Sequence, residues 1–288
     1  MSAAEALLSR ILDYAGLFPP ASLGMEAAVR RYHDFLAGDF SWSLGGLVVQ
    51  AARLEDFAAA FEQVCCDERE QPWTLNVVCA GENPDDVRSI EEFQQGAAFL
   101  GSLETKAAHP RAAREVLERL PAARARYVEF PPERAAEMLP VLAEYGARAK
   151  IRMGGLTPES VPGVETVAQF LLACARERVA WKATAGLHHA LRGMRELTPG
   201  GPRVKMHGFV NVFLAGALAF VGAEEAAIVK TLQEEDAGAF RLDDDVLQWQ
   251  DQMLISDQLE RVRKDFAISF GSCSLEEPVA DLKAMGWV

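Results

Sequence analysis

The sequence predicts an α/β fold: a (β/α)8 TIM barrel with a parallel sheet, forming one domain over residues 1–288, with an extra helical insertion before the last strand. Eight short apolar segments, typical of buried parallel strands, alternate with longer segments of helical periodicity. From Val48 onward most strand centres are about 20 to 35 residues apart, the length of one βα unit. The exception is the interval from about 183 to 269, where EEAAIVKTLQEEDAG predicts an added helix.

The first four predicted strands follow from short apolar runs. ILDYAGLFPP (11–20) comes first, and LGGLVVQA (44–51) and WTLNVVCAG (73–81) are rich in valine and leucine. FLGSLETKA (99–107) follows a helical segment that begins after Asn83 or Asp85, residue types common at helix N-caps.

The other four predicted strands are ARYVEFPP (125–132), ARAKIRMGG (147–155), VAWKATAG (179–186) and FAISFGSCS (266–274). A Gly/Pro-rich loop and then an apolar helix beginning near His207 follow the third of them. After the last strand, Ser274 and Glu277 have the spacing of a capping box. A doubly wound open sheet is the competing architecture, but no GxGxxG follows an early strand, which disfavours its dinucleotide-binding form.

Composition limits the classes of function. The net charge of −13 argues against nucleic acid and against an anionic membrane surface as partners. The first 18 residues lack a signal-peptide pattern, and the longest apolar run (209–222) is shorter than the ~18 residues of a membrane span. That run predicts a buried helix, with a subunit contact in a homo-oligomer as one role. The five scattered cysteines favour reduced thiols, so we expect a cytoplasmic protein.

Polar side chains recur inside the predicted strands. Strands of a parallel barrel are mostly apolar, and a charged side chain there either needs a partner or opens into the mouth at the carboxyl ends. From these positions we predict a site. Its candidate catalytic residues are Lys150, Lys182, Glu104 and Glu129, and its candidate substrate-binding residues are Asp13, Asn76, Lys106, Arg152, Thr184, His188 and Ser272. The alternative is that these groups form structural ion pairs.

Lys150 and Lys182 are the most informative pair. They are 32 residues apart, about one βα unit, and so are predicted to lie on adjacent strands. Two buried ammonium groups disfavour each other's charge, so the pKa of at least one should fall. A neutral amine is the nucleophile that Schiff-base chemistry requires.

Here the sequence resembles a known family. AKIRMGG and WKATAG each carry a lysine followed by glycine, as in class I aldolases of the deoxyribose-phosphate aldolase type. The resemblance implies that Lys150 forms the imine and that Lys182 lowers its pKa, although the roles could be reversed. It departs from that family at Ile151, Arg152 and Met153, where small hydroxyl residues are usual.

We therefore expect an aldolase-like or lyase-like enzyme acting on a small anionic carbonyl compound. One alternative is an isomerase or metal-assisted lyase on a sugar acid or phosphate, and another is a non-catalytic metabolite-binding barrel. Asp13, Glu104, Glu129 and His188 could form a metal site, but no HExxH-like spacing supports it. No metal and no other cofactor is expected. Ser272 lies in a segment whose backbone could bind phosphate.

Overall fold

The computed structural model describes residues 1–64, 73–81, 83–93, 98–198 and 200–288. Seven strands come first along the chain: β1 (Leu12–Tyr14), β2 (Leu44–Gln50), β3 (Trp73–Val78), β4 (Ala98–Lys106), β5 (Arg126–Glu129), β6 (Arg148–Arg152) and β7 (Trp181–Thr184). All of them lie within, or overlap, the segments predicted as strands.

Helices precede and separate these strands. They are α1 (Ala3–Leu8), α2 (Met25–Leu36), α3 (Leu54–Val64), α4 (Pro84–Glu92), α5 (Pro110–Arg119), α6 (Ala135–Glu144) and α7 (Val164–Glu177). Asn83 caps α4, since its side chain accepts a hydrogen bond from the Asp85 amide, as the sequence predicts.

The predicted insertion follows β7. It contains the hairpin β8 (Gly193–Glu196) and β9 (Arg203–Met206), then α8 (Phe209–Phe220) and α9 (Glu225–Gln233). A three-stranded antiparallel sheet and a helix complete it: β10 (Phe240–Leu242), β11 (Val246–Trp249), β12 (Gln252–Ile255) and α10 (Ser256–Asp265). The helices α8 and α9 were expected, but α10 and the five short strands were not.

The last strand, β13 (Ala267–Ser272), closes the barrel before the final helix α11 (Glu276–Ala284). It pairs in parallel with β1 on one side and with β7 on the other. The order around the closed sheet is β1-β13-β7-β6-β5-β4-β3-β2, with every neighbouring pair parallel. The predicted (β/α)8 TIM barrel is therefore confirmed, and the open-sheet alternative is wrong.

Apolar side chains of the strands pack outward against the helices. Trp181 of β7 is fully buried, and its ring centroid lies 5.3 Å from that of Phe213 in α8 and 6.5 Å from that of Phe170 in α7. Alternation then directs the neighbouring residues of each strand into the barrel. In β6, buried Ala149 and Ile151 alternate with the charged residues of the strand.

Among the described helices, none is long and apolar enough to cross a membrane. The thiols of Cys79, Cys174 and Cys273 are free, while Cys65 and Cys66 lie outside the described residues. The cytoplasmic location and a homo-oligomer stay predictions.

Candidate active site

Lys150 and Lys182 lie side by side inside the barrel. β6 pairs with β7 in a register that makes these two residues direct neighbours. Glu129 of β5 is in turn the register neighbour of Lys150. All three side chains are at least nine-tenths buried. The two lysines, 32 residues apart in the sequence, therefore lie at the same height on adjacent strands.

Glu104 on β4 binds both lysines at once. Lys182 donates from Nζ to Glu104 Oε1 at 2.6 Å, and Lys150 Nζ lies 2.8 Å from the other oxygen, Oε2. One buried carboxylate therefore lies between the two ammonium groups. A charge-assisted contact on each of its oxygens compensates for the loss of water around all three groups.

Asp13 on β1 supplies the second carboxylate of Lys182. Its Oδ2 accepts from Lys182 Nζ at 2.6 Å and from the Ser269 hydroxyl at 2.6 Å, while its Oδ1 accepts from the Gly46 amide at 2.9 Å. The Tyr127 ring also faces this ammonium, with Nζ 5.3 Å from the ring centroid. Lys182 is thus enclosed by two carboxylates and an aromatic face.

Glu129 joins Lys150 to two cations at the mouth. Its Oε1 accepts from Arg152 Nε at 2.9 Å and lies 3.4 Å from Lys106 Nζ. Its Oε2 lies 3.4 Å from Lys150 Nζ, within ion-pair range, but makes no hydrogen bond and is buried. The side chains of Arg152 and Lys106 are 42% and 65% exposed, so both remain accessible to a ligand.

The pKa values follow from this arrangement. Burial alone would raise the pKa of Glu104, but Lys150 and Lys182 outweigh it and lower the pKa to about 2. Burial alone would lower the pKa of Lys182, but Asp13 and Glu104 raise it above its usual value. The pKa of Glu129 is lowered as well, since Lys150 and Arg152 outweigh its burial.

The expected fall in a lysine pKa is therefore wrong for Lys182. Repulsion between two bare ammonium groups would have produced that fall, but Glu104 separates the charges and Asp13 adds a second carboxylate. Lys182 is held as a cation. Lys150 has one short and one longer carboxylate contact instead of two short ones.

A cavity of about 390 Å³ opens above these groups at the carboxyl ends of the strands. Eight predicted site residues line it: Glu104, Lys106, Glu129, Lys150, Arg152, Lys182, Thr184 and His188. Phe18, Pro19 and Pro20 from the loop after β1 lie on its wall, together with Leu156. The volume suits a ligand of metabolite size.

His188 lies at the rim of this cavity. Its Nδ1 is 3.4 Å from Glu277 Oε2, and contacts with Cys273 and Glu277 outweigh burial to raise the pKa of His188 to about 9. The predicted capping box between Ser274 and Glu277 is therefore only half formed. The Ser274 hydroxyl accepts from the Glu277 amide at 3.3 Å, but the Glu277 carboxylate turns to His188 and does not close the box.

Three predicted residues do not line the mouth cavity. Asp13 lies beneath Lys182. Asn76 faces the amino-terminal end of the barrel and accepts from the Ser102 hydroxyl at 2.7 Å. Ser272 is buried, and its hydroxyl accepts from the Ser274 amide.

The sequence interpretation missed Ser269 and Tyr127, both of which contact the Lys182–Asp13 pair. Ser269 carried the same signal as the residues that were chosen, a polar side chain inside a predicted strand.

Within the described ranges, no group of three or more His, Cys, Asp or Glu side chains is arranged to hold a metal ion. Three of the four candidate ligands contact cations instead: Asp13 and Glu104 contact Lys182, and Glu129 contacts Lys150.

Comparison with known proteins assigns no function to the chain. No protein-family model matches the chain, and no curated protein matches it. Among solved structures, it is similar to the deoxyribose phosphate aldolase from Aeropyrum pernix, a protein described as having a unique tetrameric structure. The match covers 98% of this chain and 93% of the aldolase, with 14% sequence identity and a TM-score of 0.35.

The closed parallel sheet by itself defines the fold of the chain as a TIM barrel. At this identity and TM-score, the similarity carries no conclusion about activity or assembly, so any function has to be argued from the site itself.

Proposed function

We propose that the protein is a lyase of the class I aldolase type, in which Lys150 forms an imine with a small anionic carbonyl compound. The observation that carries this proposal is the bridging of Lys150 and Lys182 by the two oxygens of Glu104, at the floor of a cavity at the carboxyl end of the barrel. Barrel enzymes perform their chemistry at this end.

The contacts of the two lysines support Lys150 as the nucleophile. Lys182 is bound by two carboxylates at 2.6 Å each, so its neutral form is strongly disfavoured. Lys150 has one carboxylate at 2.8 Å and another at 3.4 Å, so its ammonium is held by fewer short contacts than that of Lys182. Lys182 then acts as a permanent cation that keeps Glu104 ionised and lies close to the developing imine.

Imine formation requires a proton acceptor beside Lys150. The Lys150 ammonium must lose one proton before its nitrogen adds to the substrate carbonyl carbon, and the carbinolamine then loses water to give the imine. Glu129 Oε2 is suited to take that proton, because it lies 3.4 Å from Lys150 Nζ and has no hydrogen bond of its own. The same carboxyl can return a proton to the departing hydroxyl.

The anionic part of the substrate is assigned to Arg152 and Lys106. Both line the cavity, and both are partly exposed although they contact Glu129. An arginine guanidinium is suited to bidentate binding of a carboxylate or phosphate. Thr184 and His188 line the same cavity, and His188, whose pKa is raised to about 9, would add a further positive charge.

Reductive trapping tests the proposal. The purified protein is treated with borohydride in the presence of acetaldehyde, pyruvate or glyceraldehyde 3-phosphate, and the intact mass is measured. We expect one adduct per chain with at least one of these carbonyl compounds. Lys150→Ala should lose that adduct, whereas Lys230→Ala, which removes a lysine of α9 outside the cavity, should keep it.

Two results would contradict the proposal. One is undiminished trapping in Lys150→Ala, and the other is unchanged turnover in both Lys150→Ala and Lys182→Ala. Turnover without trapping would favour acid–base chemistry in the same cavity. Ligand-induced stabilisation without turnover of any compound in the panel would favour a binding protein.

A further inference from the structure

A second cavity lies at the opposite, amino-terminal end of the barrel. Its volume is about 630 Å³, and it reaches Asp13 and Lys182 from below. Besides Lys182, five cationic side chains line it: Arg10, Arg124, Arg148, Arg263 and Lys264. The carboxylates on its wall are Glu260 and Asp13, and Asp13 is already bound to Lys182. The cavity therefore has an excess of positive charge in a chain whose net charge is −13.

These cations lack carboxylate partners in the part of the chain that the structure describes. Arg10 donates to the Thr74 hydroxyl at 3.3 Å, and Arg148 donates to the Tyr127 hydroxyl at 3.0 Å. A guanidinium has five N–H donors, so each arginine retains donors for a ligand. Several other arginines of the chain do contact a carboxylate, for example Arg88 with Asp85 and Arg111 with Glu115.

Arg263 adds a buried charge to the floor of this cavity. Its guanidinium donates to four backbone carbonyls, those of Leu7, Ser9, Ala267 and Ile268, and to no carboxylate among the described residues. Burial lowers the pKa of Arg263 to about 9, which leaves it a cation at neutral pH, and the field of that charge extends into the cavity.

We propose that this amino-terminal cavity binds an oxyanion, namely a small molecule bearing phosphate or carboxylate groups. Several convergent cations and a concave volume of this size are what such a ligand needs. The site is separate from the mouth cavity, because the Lys182–Asp13 pair lies between the two. An anion bound here would lie on the far side of Lys182 from the substrate and would favour its cationic form.

Calorimetric titration with inorganic phosphate and with citrate tests the proposal, and sodium chloride at matched ionic strength is the reference. We expect saturable binding of at least one oxyanion. The double variant Arg10→Ala/Arg124→Ala removes two exposed cations from the cavity and should weaken that binding about tenfold or more. Response to phosphate alone would define a phosphate site, and response to both anions would define a general oxyanion site.

Two controls locate the binding. Arg119→Ala/Arg241→Ala makes the same change in charge at exposed arginines outside the cavity and should leave the affinity unchanged. Arg152→Ala removes the guanidinium of the mouth cavity, so saturable oxyanion binding that remains in this variant is assigned to the amino-terminal cavity. Equal responses to oxyanions and chloride would overturn the proposal, as would oxyanion binding that is wholly lost with Arg152→Ala alone or that survives the Arg10/Arg124 substitutions in an Arg152→Ala background. This outcome is independent of imine formation at Lys150.

Discussion

Lys150 and Lys182 are register neighbours on adjacent parallel strands, and their ammonium groups bind opposite oxygens of the same carboxylate, Glu104. This relationship makes the two lysines unequal. Lys182 also binds Asp13 at 2.6 Å, while the second partner of Lys150 is Glu129 at 3.4 Å. The difference in contacts is the physical basis for assigning a cationic role to one lysine and a reactive role to the other.

Removal of the Glu104 charge should destabilise the fold. In Glu104→Gln, two buried ammonium groups lose a shared carboxylate, and the free energy of unfolding should fall by about 3–5 kcal/mol. Urea unfolding followed by circular dichroism measures the change. Glu62→Gln makes the same substitution at an exposed position of α3 and should change stability little. A loss of stability no greater than that of the control would mean that the bridge is not formed.

The ionised Glu104 carboxylate should also make the stability of the fold decrease at acidic pH. Because the folded-state pKa of Glu104 is lowered to about 2 from an ordinary 4.5, its contribution is present above pH 4.5 and is lost as the pH falls towards 2. The pKa of Lys182 is raised, so its contribution is present at neutral pH and is lost only when the pH rises above the usual range for lysine. Unfolding measured between pH 2 and 6 should show less pH dependence in Glu104→Gln than in the wild type. An identical slope in both proteins would contradict the assignment.

His188 should be protonated at neutral pH. Its pKa of about 9 depends on Cys273 and Glu277, and the stabilisation it contributes is complete below pH 6.5 and lost as the pH rises through 9. An NMR titration of the imidazole protons measures the pKa directly. Glu277→Gln should lower the pKa, whereas Glu276→Gln, whose carboxylate binds Arg31, should lower it less. A midpoint near 6.5 in the wild type would show that the pair is not formed.

Arg263 should be a strong contributor to stability. Its guanidinium joins the carbonyls of α1 and the turn after it to those at the start of β13. Arg263→Met removes the guanidinium donor from these carbonyls and should reduce the free energy of unfolding by about 3 kcal/mol. Arg261→Met, at an exposed position of the same helix, is the matched control. Equal stability of the two variants in thermal or urea unfolding would refute this role.

The barrel could be predicted from the sequence because its strands carry a strong local signal. Apolar runs such as 44–51 and 73–81 reflect the burial of each strand against the helices. The regular spacing between strands reflects the length of a βα unit. The strands of the insertion were missed because segments such as Phe240–Leu242 are only three or four residues long, with partly exposed faces. Their pairing is set by tertiary contacts and not by a local pattern.

The candidate site could be predicted only as a set of residues. The spacing of Lys150 and Lys182 gives their adjacency, since consecutive barrel strands are neighbours. The contact between Asp13 and Lys182 joins residues 169 positions apart and depends on the closure of the barrel between β1 and β7 by β13. The sequence also does not show which end of the barrel a residue of a strand faces. Asn76 was therefore grouped with the mouth residues, although it faces the amino-terminal end.

The most direct test of the account is to identify the lysine that carries the trapped carbonyl compound. After reduction with borohydride, the wild-type protein is digested, and the modified peptide is sequenced by tandem mass spectrometry. The account predicts modification of Lys150 and an unmodified Lys182. A reduced adduct on Lys182, or on a lysine outside the mouth cavity, would contradict it.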